Sequence, residues 1–386
     1  MKRTLALTGL LILGLLLSQV LPSFVGALPA NLLFARHFIT MSLLAFIMIQ
    51  VGREFDVDLK NKKQYAVDYG VAATAAAFPW IFVTIYFLCF LMPETGAKHP
   101  LWIEALLVGR FAAPTSAGVL FSMLAASGLA GTWVFRKTRI LAIFDDLDTV
   151  LLMIPLQMLI VGFAWQLGGV VVALALMLYF GLKFYRRVSL HRTWPWVLAY
   201  SLFIVGFSEI LYALTKDPVS SVGLHIEILL PAFLLGCVLK HDPDEHAQVP
   251  GEDTPGLSSE EKAGLGVSGA FMVFVGLSMP TVFGEYAEVK ISMSPALLAL
   301  HVIAITVLSN LGKMFACFCY KKEASFRERL AVSVALFPRG EVGAGVLAIS
   351  LGYGITGPFV TVAFLSLALN LILTGAFILV VKKLLA

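Results

Sequence analysis

The sequence predicts an all-α polytopic membrane protein of about twelve transmembrane helices. Three observations carry this. The first is composition: 59% of the 386 residues are hydrophobic and 13% charged, with a mean hydropathy of +0.90. A soluble domain lies nearer half apolar and a quarter charged, and the surplus apolar surface needs a bilayer as its solvent. The second is the regular recurrence of apolar stretches of spanning length. The third is the alternation of basic residues between the loops on either side of those stretches.

Candidate spans lie at 4–24, 38–54, 66–92, 101–128, 139–164, 167–186, 194–214, 220–240, 265–283, 294–320, 329–352 and 356–384. Most approach or exceed the ~20 residues a spanning helix needs. The first follows Met1-Lys2-Arg3. Its apolar stretch is too long for a secretory signal, and no small-residue cleavage site follows, so it reads as a helix. Spans four and eleven are interrupted by Gly and Pro. With the N-terminus inside, twenty-one of the 28 lysines and arginines fall in inside segments and four outside. The remaining three, Arg110, Lys313 and Arg339, lie within spans. Basic residues collect on the cytoplasmic side, and a missed or extra helix would scramble the alternation. Both termini are therefore expected in the cytoplasm.

The formal net charge of +4 is small and spread among loops, which excludes a nucleic-acid surface. Cys89, Cys237, Cys317 and Cys319 have no metal-ligand spacing, and the last two read as small packed residues. The stretch 241–263, with Asp242-Pro243-Asp244-Glu245, is acidic and rich in Pro and Gly. It is expected to be a mobile cytoplasmic linker.

A charge at the bilayer centre costs ~3 kcal/mol or more, so ionisable groups within spans mark function. The strongest cluster is Phe144-Asp145-Asp146-Leu147-Asp148-Thr149 in span five. Adjacent acids point about 100° apart on a helix, so both reach a polar interior only if it is wide. A helix start would also favour acids, but the pair lies six residues past Arg139 with no cap there. Burial and like charge favour the neutral form of a carboxylate. One oxygen can then hold a proton or a hard cation but not both, and that competition suits cation/proton exchange.

Lys313 lies in the last third of span ten, where it either snorkels to the inner surface or serves as counter-ion to an acid of span five. The second reading is preferred. Phe337-Pro338-Arg339-Gly340-Glu341-Val342-Gly343 in span eleven mirrors Gly109-Arg110-Phe111-Ala112-Ala113-Pro114-Thr115-Ser116 in span four. Each joins an Arg, a Pro and glycines in an apolar stretch. Paired interrupted helices point to an inverted repeat with an ion site between its halves, although two independent kinks would look similar. Glu209, His225, Glu227, Asp68, Glu104 and His301 are weaker candidates, and His301 reads as a packed histidine.

At these residues the chain resembles the cation:proton antiporter superfamily, of the bacterial Na+/H+ and K+/H+ type with a paired-aspartate ion site. The resemblance runs from Gln50-Val51-Gly52-Arg53-Glu54 to the last helix. It is carried by Ala113-Pro114-Thr115-Ser116, Phe144-Asp145-Asp146, Ala232-Phe233-Leu234-Leu235-Gly236, Phe274-Val275-Gly276-Leu277-Ser278-Met279 and Arg339-Gly340-Glu341-Val342-Gly343. It implies an antiporter-like fold with two broken, crossing helices. Asp146 would bind the monovalent cation or proton, and Asp145 would pair with Lys313. Thr115 and Ser116 would line the site, and Lys313, Arg339 and Glu341 would compensate charge. It also implies a homodimer in a bacterial inner membrane. Scaffold helices would occupy 1–63 and 194–290, core helices 64–165 and 291–386, and a linker helix 166–193. Asp148, Pro114 and Arg110 depart from the pattern, and Asp148 is a possible extra acid.

The expected activity is exchange of Na+, or else K+ or Li+, for H+, electrogenic and without a cofactor. A K+/H+ antiporter or channel-like K+ efflux protein is the alternative. An enzyme is not expected: intramembrane aspartyl proteolysis needs acids on different spans, and no Zn motif or Ser/His dyad appears.

Overall fold

The computed structural model describes residues 2–26, 29–54, 62–91, 100–116, 128–129, 131–161, 188–215, 228–239, 259–278 and 293–385, with scattered positions between 120 and 187. Expected span six, the start of span eight, residues 117–119, His225, Glu227 and the stretch 240–258 fall outside these or mostly so. Helices dominate: α1 (Lys2–Val25), α2 (Ala30–Glu54), α3 (Lys62–Phe90), α4 (Leu101–Gly109), α5 (Trp133–Val161) and α6 (Trp194–Thr215) come first. They are followed by α7 (Leu229–Val238), α8 (Ser259–Leu277), α9 (Pro295–Lys313), α10 (Phe326–Ala335), α11 (Glu341–Gly352) and α12 (Pro358–Leu385). Among the described residues the one β contact is an isolated bridge between Val188 and Leu239.

Helix starts follow local chemistry. Thr132 Oγ1 accepts from the Phe135 N–H at 3.1 Å, so α5 begins before its basic residues rather than at Arg139. Ser294 caps α9 ahead of Pro295, and Ser325 with Glu328 forms a capping box on α10. The last five residues of the expected linker, Ser259 to Ala263, belong to α8, and the rest of it lies outside the described residues. Glu260 in that first turn complements the helix dipole.

Five described helices are long and apolar enough to cross a membrane: Asn31–Gln50, Lys63–Phe90, Trp194–Thr215, Pro295–Phe318 and Pro358–Leu385. Shorter apolar helices run Gly9–Pro22, Lys262–Leu277 and Val342–Gly352. α5 is as long as these helices but carries three acids in its middle.

The chain forms two compact units. The first comprises Met1–His37, Asp58–Thr149 and Met272–Ala386; the second comprises Phe38–Val57 and Val150–Phe271. In the first, α3 lies against α4 and α9, while α1, α9, α10 and α11 lie against α12. Small residues permit the approach: a Cβ on Gly312 would stand 2.6 Å from Pro79 Cδ. In the second unit, a Cβ on Gly236 would stand 2.8 Å from the Gly52 Cα, which sets α7 directly on α2.

Two helices of the first unit break where the sequence predicts. α4 ends in a 3-10 turn, Arg110–Ala112, and residues 113–116 are not helical. α10 stops at Ala335, and the chain resumes helix at Glu341. Pro114 and Pro338 each lack the N–H that an unbroken helix would need.

Candidate ion site

α5 presents its acids to the interior of the first unit. Asp145 is 1% exposed, Asp146 is wholly buried and Asp148 is 6% exposed. A pleat of helix separates their directions: Asp145 and Asp148 share a face at i, i+3, and Asp146 is turned about 100° away.

Asp145 has two side-chain donors. Its Oδ2 accepts from the Lys313 ammonium and from Thr115 Oγ1 at 2.8 Å. Its Oδ1 has no hydrogen-bond partner among the described residues. Lys313 is wholly buried, and its ammonium meets Asp145 instead of reaching the inner surface. Lys313 also donates to the Ala113 carbonyl, one of the groups left over where α4 breaks. Deep burial of such groups requires partners, and freed backbone carbonyls provide them.

The two breaks meet. The Ser116 N–H donates to the Pro338 carbonyl at 2.9 Å, and Thr115 Oγ1 lies 3.1 Å from the Leu336 carbonyl, which shares the single hydroxyl proton with Asp145. Arg339 closes the junction. Its Nε donates to the Ala112 carbonyl at 2.8 Å, Nη1 to Asn310 Oδ1 at 2.6 Å and to the Phe337 carbonyl at 3.0 Å, and Nη2 to the Ser309 carbonyl at 2.8 Å. Two cations, Lys313 and Arg339, thus sit on carbonyls at the C-terminal end of the α4 half-helix, where the helix dipole is negative. Gly340 is required by the fit: a Cβ there would stand 2.7 Å from Ser116 Oγ. The side chain of Glu341, at the start of α11, lies outside the described residues.

This arrangement pairs a buried acid couplet with two interrupted helices that touch each other. The family model of the transmembrane sodium/hydrogen exchanger matches residues 6–383. The chain belongs to the sodium/hydrogen exchanger family. It is therefore an integral membrane protein of the cation:proton antiporter class. The fold is similar to that of the sodium proton antiporter MjNhaP1 from Methanocaldococcus jannaschii at pH 8, with a TM-score of 0.59 and 17% identity. That likeness covers 96% of this chain and 92% of the other. Curated protein sequences contain no match to the chain.

Several residues of this exchanger escaped the sequence reading. Asn310 accepts from Arg339 and also from Asn370 Nδ2 at 3.1 Å, and Asn370 Oδ1 accepts from the Arg339 N–H at 3.0 Å. A buried amide in the apolar run of α12 was the available signal for Asn370. Lys137 precedes expected span five, among the inside basic residues of the charge alternation, but is 6% exposed. Its Nζ lies 3.0 Å from Asp68 Oδ1 and 3.3 Å from Glu323 Oε2. Tyr320 donates to the same Asp68 Oδ1 at 2.8 Å and holds a left-handed φ of 56°. That cluster ties the start of α3 to the start of α5 and to the loop after α9. His301 is packed as expected, with Nδ1 2.8 Å from the Tyr86 hydroxyl.

Proposed function

We propose that this exchanger moves Na+ against H+ across the bilayer by alternating access, electrogenically, with Asp146 carrying the cation or proton. The observation that carries this reading is the buried Asp145–Lys313 pair, set beside Asp146 on α5 and touching the α4 break. A buried lysine can surrender its proton, unlike arginine, so the pair can change its protonation when a cation arrives next to it. Competition between cation and proton for the couplet then couples the two flows without any further device. Thr115 holds Asp145 in place, and Ser116 offers a second oxygen near the crossing. Arg339, with Glu341 close by in sequence, offsets charge there.

The wider assignments belong to the same proposal. Helices in 64–165 and 291–386 form a moving core, and those in 1–63 and 194–290 form the scaffold of a homodimer, with 166–193 as linker. Both termini face the cytoplasm of a bacterial cell, as the loop-by-loop distribution of lysine and arginine supports. Compactness groups helices that touch, whereas transport divides helices that slide, so cross-linking during turnover is the measure of this division.

The test is reconstitution into liposomes with a pH-sensitive dye and an imposed pH gradient. Addition of Na+ is expected to collapse the gradient, and Asp146→Asn to abolish the effect. Collapse with K+ in place of Na+ would reassign the cation. Absence of collapse with Na+, K+ and Li+ would overturn antiport.

A further inference from the structure

Span five carries a third acid, and the structure gives it a base of its own. Arg110 is wholly buried and Asp148 nearly so. Arg110 Nη2 donates to Asp148 Oδ2 at 2.7 Å and to the Asp148 carbonyl at 2.8 Å. The guanidinium carbon lies 4.6 Å from the centre of the Trp80 ring, a distance at which the ring face attracts a cation. Trp80 is itself held, its Nε1 donating to the Leu106 carbonyl at 2.7 Å. Arg110 opens the 3-10 turn that ends α4. The pair therefore fastens the broken end of α4 to α5 at a point one turn beyond Asp145. The neighbouring Gly109 keeps that end tight on α3, since a Cβ there would stand 2.6 Å from Thr84 Oγ1.

The two acid–base pairs of α5 differ in chemistry. Lysine exchanges its proton readily once buried, and arginine remains protonated. If Asp148 took up a proton, the Arg110 charge would stay behind, buried and unpaired. Its Nε and Nη1 already have no hydrogen-bond partner among the described residues, and the other groups acting on the guanidinium are the Trp80 ring and, without a hydrogen bond, Asp145 and Tyr69. Neutralising one side of a buried pair is strongly unfavourable for that reason. Asp145 faces no such constraint, because its partner is a lysine.

We propose that Arg110 and Asp148 form a permanently charged pair that positions the α4 break against α5, and that Asp148 is a positioning residue rather than a third carrier of protons or cations. This rests on the antiport reading and narrows it: Asp145 and Asp146 handle the exchanged ions, and Asp148 contributes no proton to the cycle.

The experiment compares wild type, Asp148→Asn, the double variant Arg110→Gln/Asp148→Asn, and Asp148→Glu. Each is measured for thermal midpoint in detergent, and in liposomes for the pH profile of exchange and the charge moved per cation. Asp148→Asn alone is expected to lower the thermal midpoint and cut transport about tenfold or more. The double variant is expected to recover much of both, with the pH midpoint and charge per cation of wild type. Asp148→Glu, which keeps both charges, is expected to keep the same pH midpoint. A folded double variant whose midpoint moves by more than about half a pH unit, or whose charge per cation changes, overturns the proposal. So does an Asp148→Asn protein as stable and active as wild type. If the double variant does not assemble, the Asp148→Glu profile decides by the same criterion. A wild type without cation-dependent exchange would sink the antiport reading instead, and the thermal midpoints would still judge the pair.

Discussion

Lys313 and Asp145 stand 168 residues apart in the chain and form a buried ion pair beneath the α4 break. Lys313→Met would leave Asp145 with Thr115 as its remaining side-chain donor. Removing one partner of a buried pair costs about 3–5 kcal/mol, so the thermal midpoint in detergent should fall clearly. The double variant Asp145→Asn/Lys313→Met should recover most of that loss while remaining inactive in the liposome assay. A single variant as stable as wild type would count against the pair as a structural element.

The single hydroxyl proton of Thr115 lies within reach of two acceptors, Asp145 Oδ2 and, at longer distance, the Leu336 carbonyl. Thr115→Val keeps the shape and removes the hydroxyl, which leaves buried acceptors short of a donor at a cost of about 1–3 kcal/mol. The expected result is weaker apparent cation affinity in the dye assay, with Thr115→Ser close to wild type. Equal affinity in both variants would show that the hydroxyl does not shape the site.

The crossing depends on a missing side chain. A Cβ on Gly340 would meet Ser116 Oγ at 2.7 Å and Ser116 Cβ at 2.9 Å, whereas one on Gly70 would meet nothing within 4 Å. Gly340→Ala should therefore force the two breaks apart and impair exchange. Gly70→Ala, on α3, should be neutral or slightly stabilising, since alanine is favoured in a helix by about 1 kcal/mol. Transport rates of the two variants, normalised to protein in the liposomes, make the comparison.

Glu328 lies in the exposed capping turn of α10. Hydrogen bonds from the Ser325 N–H and hydroxyl hold its carboxyl below the usual glutamate value. A lowered folded-state value means that the stabilisation is present above the unfolded value, ordinarily about 4.3, and is lost as pH falls through the folded value. Ser325→Ala should cost ~1 kcal/mol at neutral pH, and the difference from wild type should shrink on acidification below about pH 4. Thermal melts across pH 3–7 would check the sign; a difference that grows on acidification would refute it.

Much of this exchanger is legible in its sequence. The apolar runs and the alternation of basic loops follow from transfer free energies that each segment carries by itself. The breaks near Pro114 and Pro338 follow from a missing N–H, which is a property of single residues. Asp145 and Asp146 were conspicuous because a charged pair in an apolar helix is costly. Lys137 and Asn370 were not legible in the same way. Lys137 counted among the inside basic residues of the charge alternation until α3 supplied Asp68, and Asn370 looked like one polar residue among many.

The sequence by itself determined that the chain enters a bilayer, where its helices break and which helix carries the acids, because those outcomes depend on local chemistry. The pairing of Lys313 with Asp145 was already implied by the family resemblance; only the tertiary structure decided that Arg110 serves Asp148 and that the two breaks bond to each other through Ser116 and Pro338. Those choices rest on distances between segments far apart in the chain. Electrostatics and hydrogen bonding act over a few ångströms, so partners are set by how α3, α4, α5 and α9 pack, and the order of residues along the chain does not contain that distance.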